Sequence, residues 1–253
     1  MGSKYGTSPE NRDRLINPEF IGWDVGGWNC DKNRESRDAL IVLDQATRCF
    51  RQPFWGNLRE TINDAKSSVE FLSELLRHCE LDVCERPQHA TIAIDAPLGF
   101  PEAFTGLITR GAPVGRIGES ATNPYLFRHT ERRLVDEWIA PLSAIKDKIS
   151  SQATKAMHVV ARFAPTLNSC GEWTDCNFLT VIETYPRLCR ARRSLQTERE
   201  PSPKRGKDAD LRDARICAEV AHAFKLSPER LEHPGDDAPE SEGWIWAPLP
   251  IRG

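Results

Sequence analysis

The run Ile92-Ala93-Ile94-Asp95-Ala96-Pro97-Leu98-Gly99 constrains the fold more than any other part of this chain. Its unbroken apolar side chains read as a strand buried on both faces, the pattern of a parallel neighbour inside an α/β sheet. The strand ends on a carboxylate, and Pro97 and Gly99 stop it at once. A carboxylate placed there is unfavourable unless a cation, a proton or a set of donors offsets its desolvation. Three segments repeat the theme: Phe20-Ile21-Gly22-Trp23-Asp24-Val25-Gly26-Gly27, Leu179-Thr180-Val181-Ile182-Glu183-Thr184-Tyr185-Pro186, and the helix-like Asp210-Leu211-Arg212-Asp213-Ala214. Open α/β sheets bind ligands at the carboxyl ends of their strands, and hard divalent cations prefer carboxylate oxygens. Acids from several strand ends meeting acids from one helix therefore point to a divalent-metal site.

With 253 residues, 39% hydrophobic and 28% charged, the chain can build a sizeable core. No apolar stretch approaches the roughly 20 residues that span a bilayer, and the opening residues lack the apolar segment of a secretory signal. A cytoplasmic protein with no membrane partner is expected. The eight cysteines contain no C-x-x-C pair and read as reduced thiols. A zinc site on Cys170 and Cys176 would need a longer gap than common zinc knuckles and has no His pair to complete it. The net charge of −3 decides nothing about nucleic acid, because a local patch matters more than the total. The one basic concentration, Arg187, Arg190, Arg192, Arg193, Arg199, Lys204, Arg205 and Lys207, lies between Glu183 and Asp210. It is either a solvated loop or a device that steers a phosphodiester toward the acids.

Residues 1–18 are polar and without period, which predicts a disordered leader before a single domain over 19–253. Three strands are expected at 20–28, 38–43 and 47–52, joined by short antiparallel connectors. An apolar stripe through Leu58, Ile62, Ala65, Val69, Leu72, Leu76 and Cys79 predicts one helix, and 90–97 is then the fourth strand, parallel to the first. An insertion is expected over about 100–176. It opens with a Gly- and Pro-rich lid at 100–123, followed by helices at 130–150 and 152–163, with Pro141 bending the first. A fifth strand at 179–185 and a helix at 208–224 complete the core. A tail over about 227–253 docks Trp244 and Trp246 on the body. In the last helix, Asp210 and Asp213 share a stripe with Ala214, Cys217, Ala221 and Phe224, so both carboxylates should face the sheet.

Asp24, Asp95, Glu183, Asp210 and Asp213 would repel one another unless protonated or neutralised by a cation, and Mg²⁺ or Mn²⁺ is the economical answer. The order Trp23-Asp24-Val25-Gly26-Gly27-Trp28, Ile94-Asp95-Ala96-Pro97-Leu98-Gly99, Glu183-Thr184-Tyr185-Pro186 and Asp210-x-x-Asp213-Ala214-x-x-Cys217-Ala218 resembles the family called domain of unknown function 429, predicted nucleases with an RNase H-like fold. Arg128-His129-Thr130-Glu131-Arg132 and Glu242-Gly243-Trp244-Ile245 are similar to it as well. The resemblance implies an α/β fold with a five-stranded mixed sheet in the order 3-2-1-4-5, flanked by helices. It makes Asp24, Asp95 and Asp213 the central catalytic acids, with Asp210 and Glu183 supporting and Asp24, Asp95, Asp210 and Asp213 holding metal. Members often carry His where Ala209 stands here, so any role of that His would be absent or fall to Lys207 or His129.

The expected activity is metal-dependent hydrolysis of a phosphodiester in DNA or RNA by two ions. Arg128, with Arg116 or Arg187, is expected to hold phosphate oxygens. Two other classes compete. A degenerate RNase H-like module could bind nucleic acid, a nucleotide or a protein without cutting. The Asp24-Val25-Gly26-Gly27 turn also resembles the phosphate loop of actin-like phosphotransferases, which need a second such half that this sequence does not show.

Overall fold

The computed structural model describes residues 19–29, 31–44, 50–81, 89–134, 141–192 and 206–250. The proposed leader, and the part of the predicted third strand at 47–49, lie outside these residues, as do Cys30, Cys49, Cys84, Arg193, Arg199, Lys204 and Arg205.

β1 (Glu19–Asp24) pairs antiparallel with β2 (Asp38–Asp44), which pairs antiparallel with β3 (Phe54–Gly56). On its other side β1 runs parallel to β4 (Ala90–Asp95), and β4 runs parallel to β7 (Leu179–Thr184). The hairpin of β5 (Thr166–Ser169) and β6 (Glu172–Thr174) joins the first half of β7, while β8 (Ile245–Trp246) pairs with its last two residues. Among the described residues the result is a mixed sheet of eight strands, ordered β3-β2-β1-β4-β7-β6-β5 with β8 beside β7, not five.

Strand alternation divides the core into two layers. Ile21, Trp23, Ile92, Ile94 and Val181 face α1 (Arg59–Asp64), α2 (Ser68–His78) and α5 (Ser150–Phe163), where Ile62, Leu72, Leu75, Val159 and Phe163 meet them. Phe20, Ala93 and Ile182 face α6 (Pro186–Arg192), α7 (Lys207–Leu226) and the Trp244–Trp246 segment. Among the described residues no helix is long and apolar enough to cross a membrane.

At Gly22 α7 lies on β1 with almost no side chain between. A Cβ at Gly22 would fall 1.8 Å from the Ala214 carbonyl oxygen and 2.3 Å from the Ala218 nitrogen. The alanines of α7 and the glycine of β1 thus let two backbones touch, which fixes the helix over the strand that ends in Asp24.

Several elements differ from the sequence expectation. Regular β3 pairing begins only after Pro53, which has no N–H to give a ladder. The single helix predicted over 58–79 is two, because Ser67 caps α2 by accepting from the Glu70 N–H at 3.2 Å. Within 100–123 there is a helix, α3 (Glu102–Arg110), closed by Gly111 at φ 61°. Of the helix expected at 130–150 only α4 (His129–Arg133) forms before the undescribed 135–140. Residues 141–149 form bends and turns, where the Ser143 N–H donates to Asp147 at 2.8 Å and its hydroxyl accepts from the Ile145 and Lys146 N–H groups at 3.1 and 3.2 Å, a local bonding pattern that competes with helix.

Replacing Gly22 by Ala is expected to destabilise the protein by about 3 kcal/mol, since backbone cannot yield to the added methyl. The matched change Gly115→Ala, which meets nothing within 4 Å, is expected to shift stability by less than about 0.5 kcal/mol. Urea unfolding of both variants measures the contrast.

Candidate active site

Parallel pairing sets Asp24, the last residue of β1, directly across from Asp95, the last residue of β4. Neither carboxylate has a hydrogen-bond or ion-pair partner among the described residues. Both are held well above the ordinary carboxylate range. For Asp24 burial is the main cause, followed by the charges of Asp95, Asp210, Asp213 and Asp38. For Asp95 burial again leads and the charge of Asp213 adds to it; Arg190 opposes, and Glu183 contributes last.

The pair lies where two clefts adjoin. A slot of about 180 Å³ runs past Asp24 and Asp95 between Pro97, Leu142, Ile149, Tyr185 and Ile245. A wider polar cleft of about 460 Å³ runs past Asp24 and Asp210 between Asn33, Arg37, Lys148 and Ser151.

α7 brings its two acids to the same edge, as its apolar stripe predicts. Asp210 accepts from the Trp55 indole N–H at 2.9 Å. Burial raises its pKa, against the Trp55 bond and with help from Asp213. Asp213 accepts from Arg190 of α6 and from Arg212 Nε at 3.3 Å. Asp213 is therefore close to the pair, but its carboxylate is engaged by a guanidinium.

Two sequence assignments require correction. Arg128 is completely buried and cannot hold a substrate phosphate. Its Nη1 and Nη2 donate to Glu183 at 2.8 and 2.6 Å, its Nε donates to Glu131 at 2.8 Å, and Nη1 also reaches the Glu242 carbonyl at 3.1 Å. Glu183, expected as a supporting acid of the site, is correspondingly taken up by the protein itself: besides Arg128 it accepts from the Leu98 N–H at 2.8 Å, pinning the turn after β4. Of the other proposed phosphate ligands, Arg187 is exposed at the start of α6 and bonds the Tyr185 side chain, at the rim of the slot. Arg116 is exposed in the loop after α3 and lines neither cleft.

A second buried ion pair went unread in the sequence. Asp38, fully buried, accepts from Lys155 Nζ at 2.6 Å, Trp23 Nε1 at 3.1 Å, Gly26 N at 3.0 Å and Leu58 N at 2.9 Å. It ties β2 to α5 and pins the turn after β1. The available signal was Lys155 itself, which falls on the apolar stripe of α5 with Ala156, Val159 and Phe163. Arg190 was likewise missed as a site residue because its segment reads as a charged loop, although Pro186 is a favourable first helical residue.

Among the described residues no group of three or more His, Cys, Asp or Glu side chains is placed to hold a metal ion. The donor chemistry nonetheless fits Mg²⁺ or Mn²⁺. Such ions are commonly held by one or two carboxylates, with water and substrate phosphate supplying the rest, and Asp24 and Asp95 offer two unpartnered, mutually repelling oxygen ligands. Comparison with known protein families, curated proteins and solved structures finds no match to this chain.

Without divalent cation, Asp95→Asn is expected to stabilise the protein at pH 7.5 by about 1 kcal/mol, roughly 2–4 °C in Tm for a chain this long. Acids whose native pKa lies above the unfolded value bind more protons when folded. The stability they confer is present below the unfolded pKa and is lost as pH rises through the native one. Thermal melts from pH 4 to 8 should therefore show a decline in the parent that is shallower in Asp95→Asn.

Proposed function

We propose that this chain is a divalent-cation-dependent phosphodiester hydrolase acting on nucleic acid, built on an RNase H-like sheet. The observation that carries the reading is Asp24 in register with Asp95, both unpartnered, at the carboxyl ends of adjacent parallel strands. The succession β3-β2-β1-β4-β7 supports it, since the central strands follow one another in the order that the resemblance implies.

In this mechanism Asp24 and Asp95 would hold Mg²⁺ or Mn²⁺, with Asp210 and Asp213 as further ligands if drawn in. A bound cation supplies polarisation of a phosphoryl oxygen and a water acidic enough to attack at neutral pH. The chain's own residues do the positioning. Asp24 and Asp95 would fix the cation's place at the strand ends, Arg190 can turn from Asp213 to a phosphate oxygen, and Arg187 guards the rim beside Tyr185. A guanidinium suits that task because its planar fork matches two phosphate oxygens.

A second reading, a module that binds without cutting, is favoured by one observation: Asp213 is held by Arg190 and Arg212, leaving the ligand set incomplete. One experiment separates the two. The intact protein is incubated with Mn²⁺ and single- and double-stranded DNA and RNA, with Mn²⁺ affinity measured by calorimetry. Hydrolysis is expected, reduced at least about 100-fold in Asp95→Asn, a loss comparable to removing one transition-state donor. Full activity in Asp95→Asn would overturn the mechanism, and Mn²⁺ binding without turnover on any substrate would establish the binding module.

A further inference from the structure

The clefts that meet at Asp24 differ in character, and the difference bears on the form in which a nucleic acid can reach the acids. The 180 Å³ slot has the volume of a single planar ring rather than of a stacked column, and its walls are Pro97, Leu142, Ile149, Tyr185 and Ile245. Apolar walls with one aromatic face suit a nucleobase, because every base has a π-face and stacks without regard to sequence. Gln152 lines both clefts, and its amide has no hydrogen-bond partner among the described residues. An amide that both donates and accepts can read a base edge. In the 460 Å³ cleft two cations, Arg37 and Lys148, stand with three acids, Asp24, Glu35 and Asp210, too little positive charge for a long phosphate track and enough for one sugar-phosphate unit.

Depth gives the second argument. Asp24 and Asp95 line the slot together with its apolar walls and are only partly exposed, so a phosphate must descend to meet them. In a duplex the phosphates lie on the outside of a rigid stack and cannot descend alone. The attached nucleoside has to leave the stack and enter with its phosphate.

Resting on the hydrolase reading above, we infer that the slot beside Asp95 receives one unstacked nucleobase, so that the substrate is a single-stranded segment or free end and not a continuous duplex. The base lies against Tyr185 and within reach of Gln152. Its phosphate sits over Asp24 and Asp95, and the next sugar-phosphate occupies the cleft of Lys148.

The test is an abasic scan. Single strands of eight nucleotides, phosphorothioate-linked to resist cleavage and each lacking the base at one position, are titrated against the full chain in Mg²⁺, beside the intact strand and its duplex. The intact strand is expected to bind at least about 10-fold tighter than the duplex, with a loss of similar size concentrated at one abasic position, as expected for one stacked base. In Ile149→Trp, which fills the slot, abasic and intact strands should bind alike while Mn²⁺ affinity is kept. Gln152→Ala, a smaller change at the same wall, should weaken the intact strand and leave the abasic one unaffected. Equal binding of duplex and single strand, or an even loss across all abasic positions, would overturn the inference, and cleavage of unmodified DNA or RNA would still uphold the hydrolase. A single sensitive position without turnover on unmodified strands would support the slot and retire the hydrolase.

Discussion

Two carboxylates facing one another across a parallel register repel, and the site depends on their being unable to move apart. The turns that follow them are each clamped by a buried ion pair. After β1, the Gly26 N–H is bound by Asp38, whose charge is answered by Lys155; after β4, the Leu98 N–H is bound by Glu183, whose charge is answered by Arg128. Taking such charges out of water is costly, and the penalty is offset only where the geometry is good and further hydrogen bonds use the remaining lone pairs. Both clamps meet that condition: Asp38 accepts from four donors, and Glu183 from both Arg128 nitrogens and a backbone N–H. The strand ends are thereby fixed with Asp24 and Asp95 side by side.

The third member of the site arrives by a different route. Gly22 lets α7 rest on β1 at backbone contact, and the helical residue preceding that contact, Asp213, points toward the same edge. A larger side chain at Gly22 would lift the helix and carry both of its acids away. Arg190, from α6 packed beside α7, then acts as an internal counterion that engages Asp213 and lowers the pKa of Asp95. Under the proposed reading a cation and this guanidinium would compete for one carboxylate.

What the sequence disclosed was whatever period and punctuation encode. The continuous apolar run to Asp95, the alternation of Phe20 to Asp24 and the inward stripe of Asp210 and Asp213 all placed acids at one sheet edge. The β5–β6 hairpin escaped because Thr166–Ser169 is solvent-exposed throughout and shows no apolar alternation, and β8 is too short to carry a pattern. The clamps escaped for another reason. Arg128 and Glu183 are 55 residues apart, and Asp38 and Lys155 are 117 apart, so no local window contains either pair. An arginine near predicted catalytic acids suggests a phosphate ligand until its burial is known; complete burial shows that it serves the protein's own carboxylates instead.

The same distinction governs the electrostatics of the cleft. Asp38 and Glu183 are matched by Lys155 and Arg128, and are the last of the charges that raise the pKa of Asp24 and Asp95, respectively. Asp24 and Asp95 have no such partner among the described residues, and Asp210 has as its hydrogen-bond partner the neutral indole of Trp55. Arg190 answers only part of the remainder. The floor of the cleft is thus left negative in a partly desolvated setting, where charge acts strongly. A phosphodiester approaching that floor is repelled until a positive charge intervenes. On the proposed hydrolase reading, cation entry before or together with the substrate would be a condition of binding as well as of chemistry.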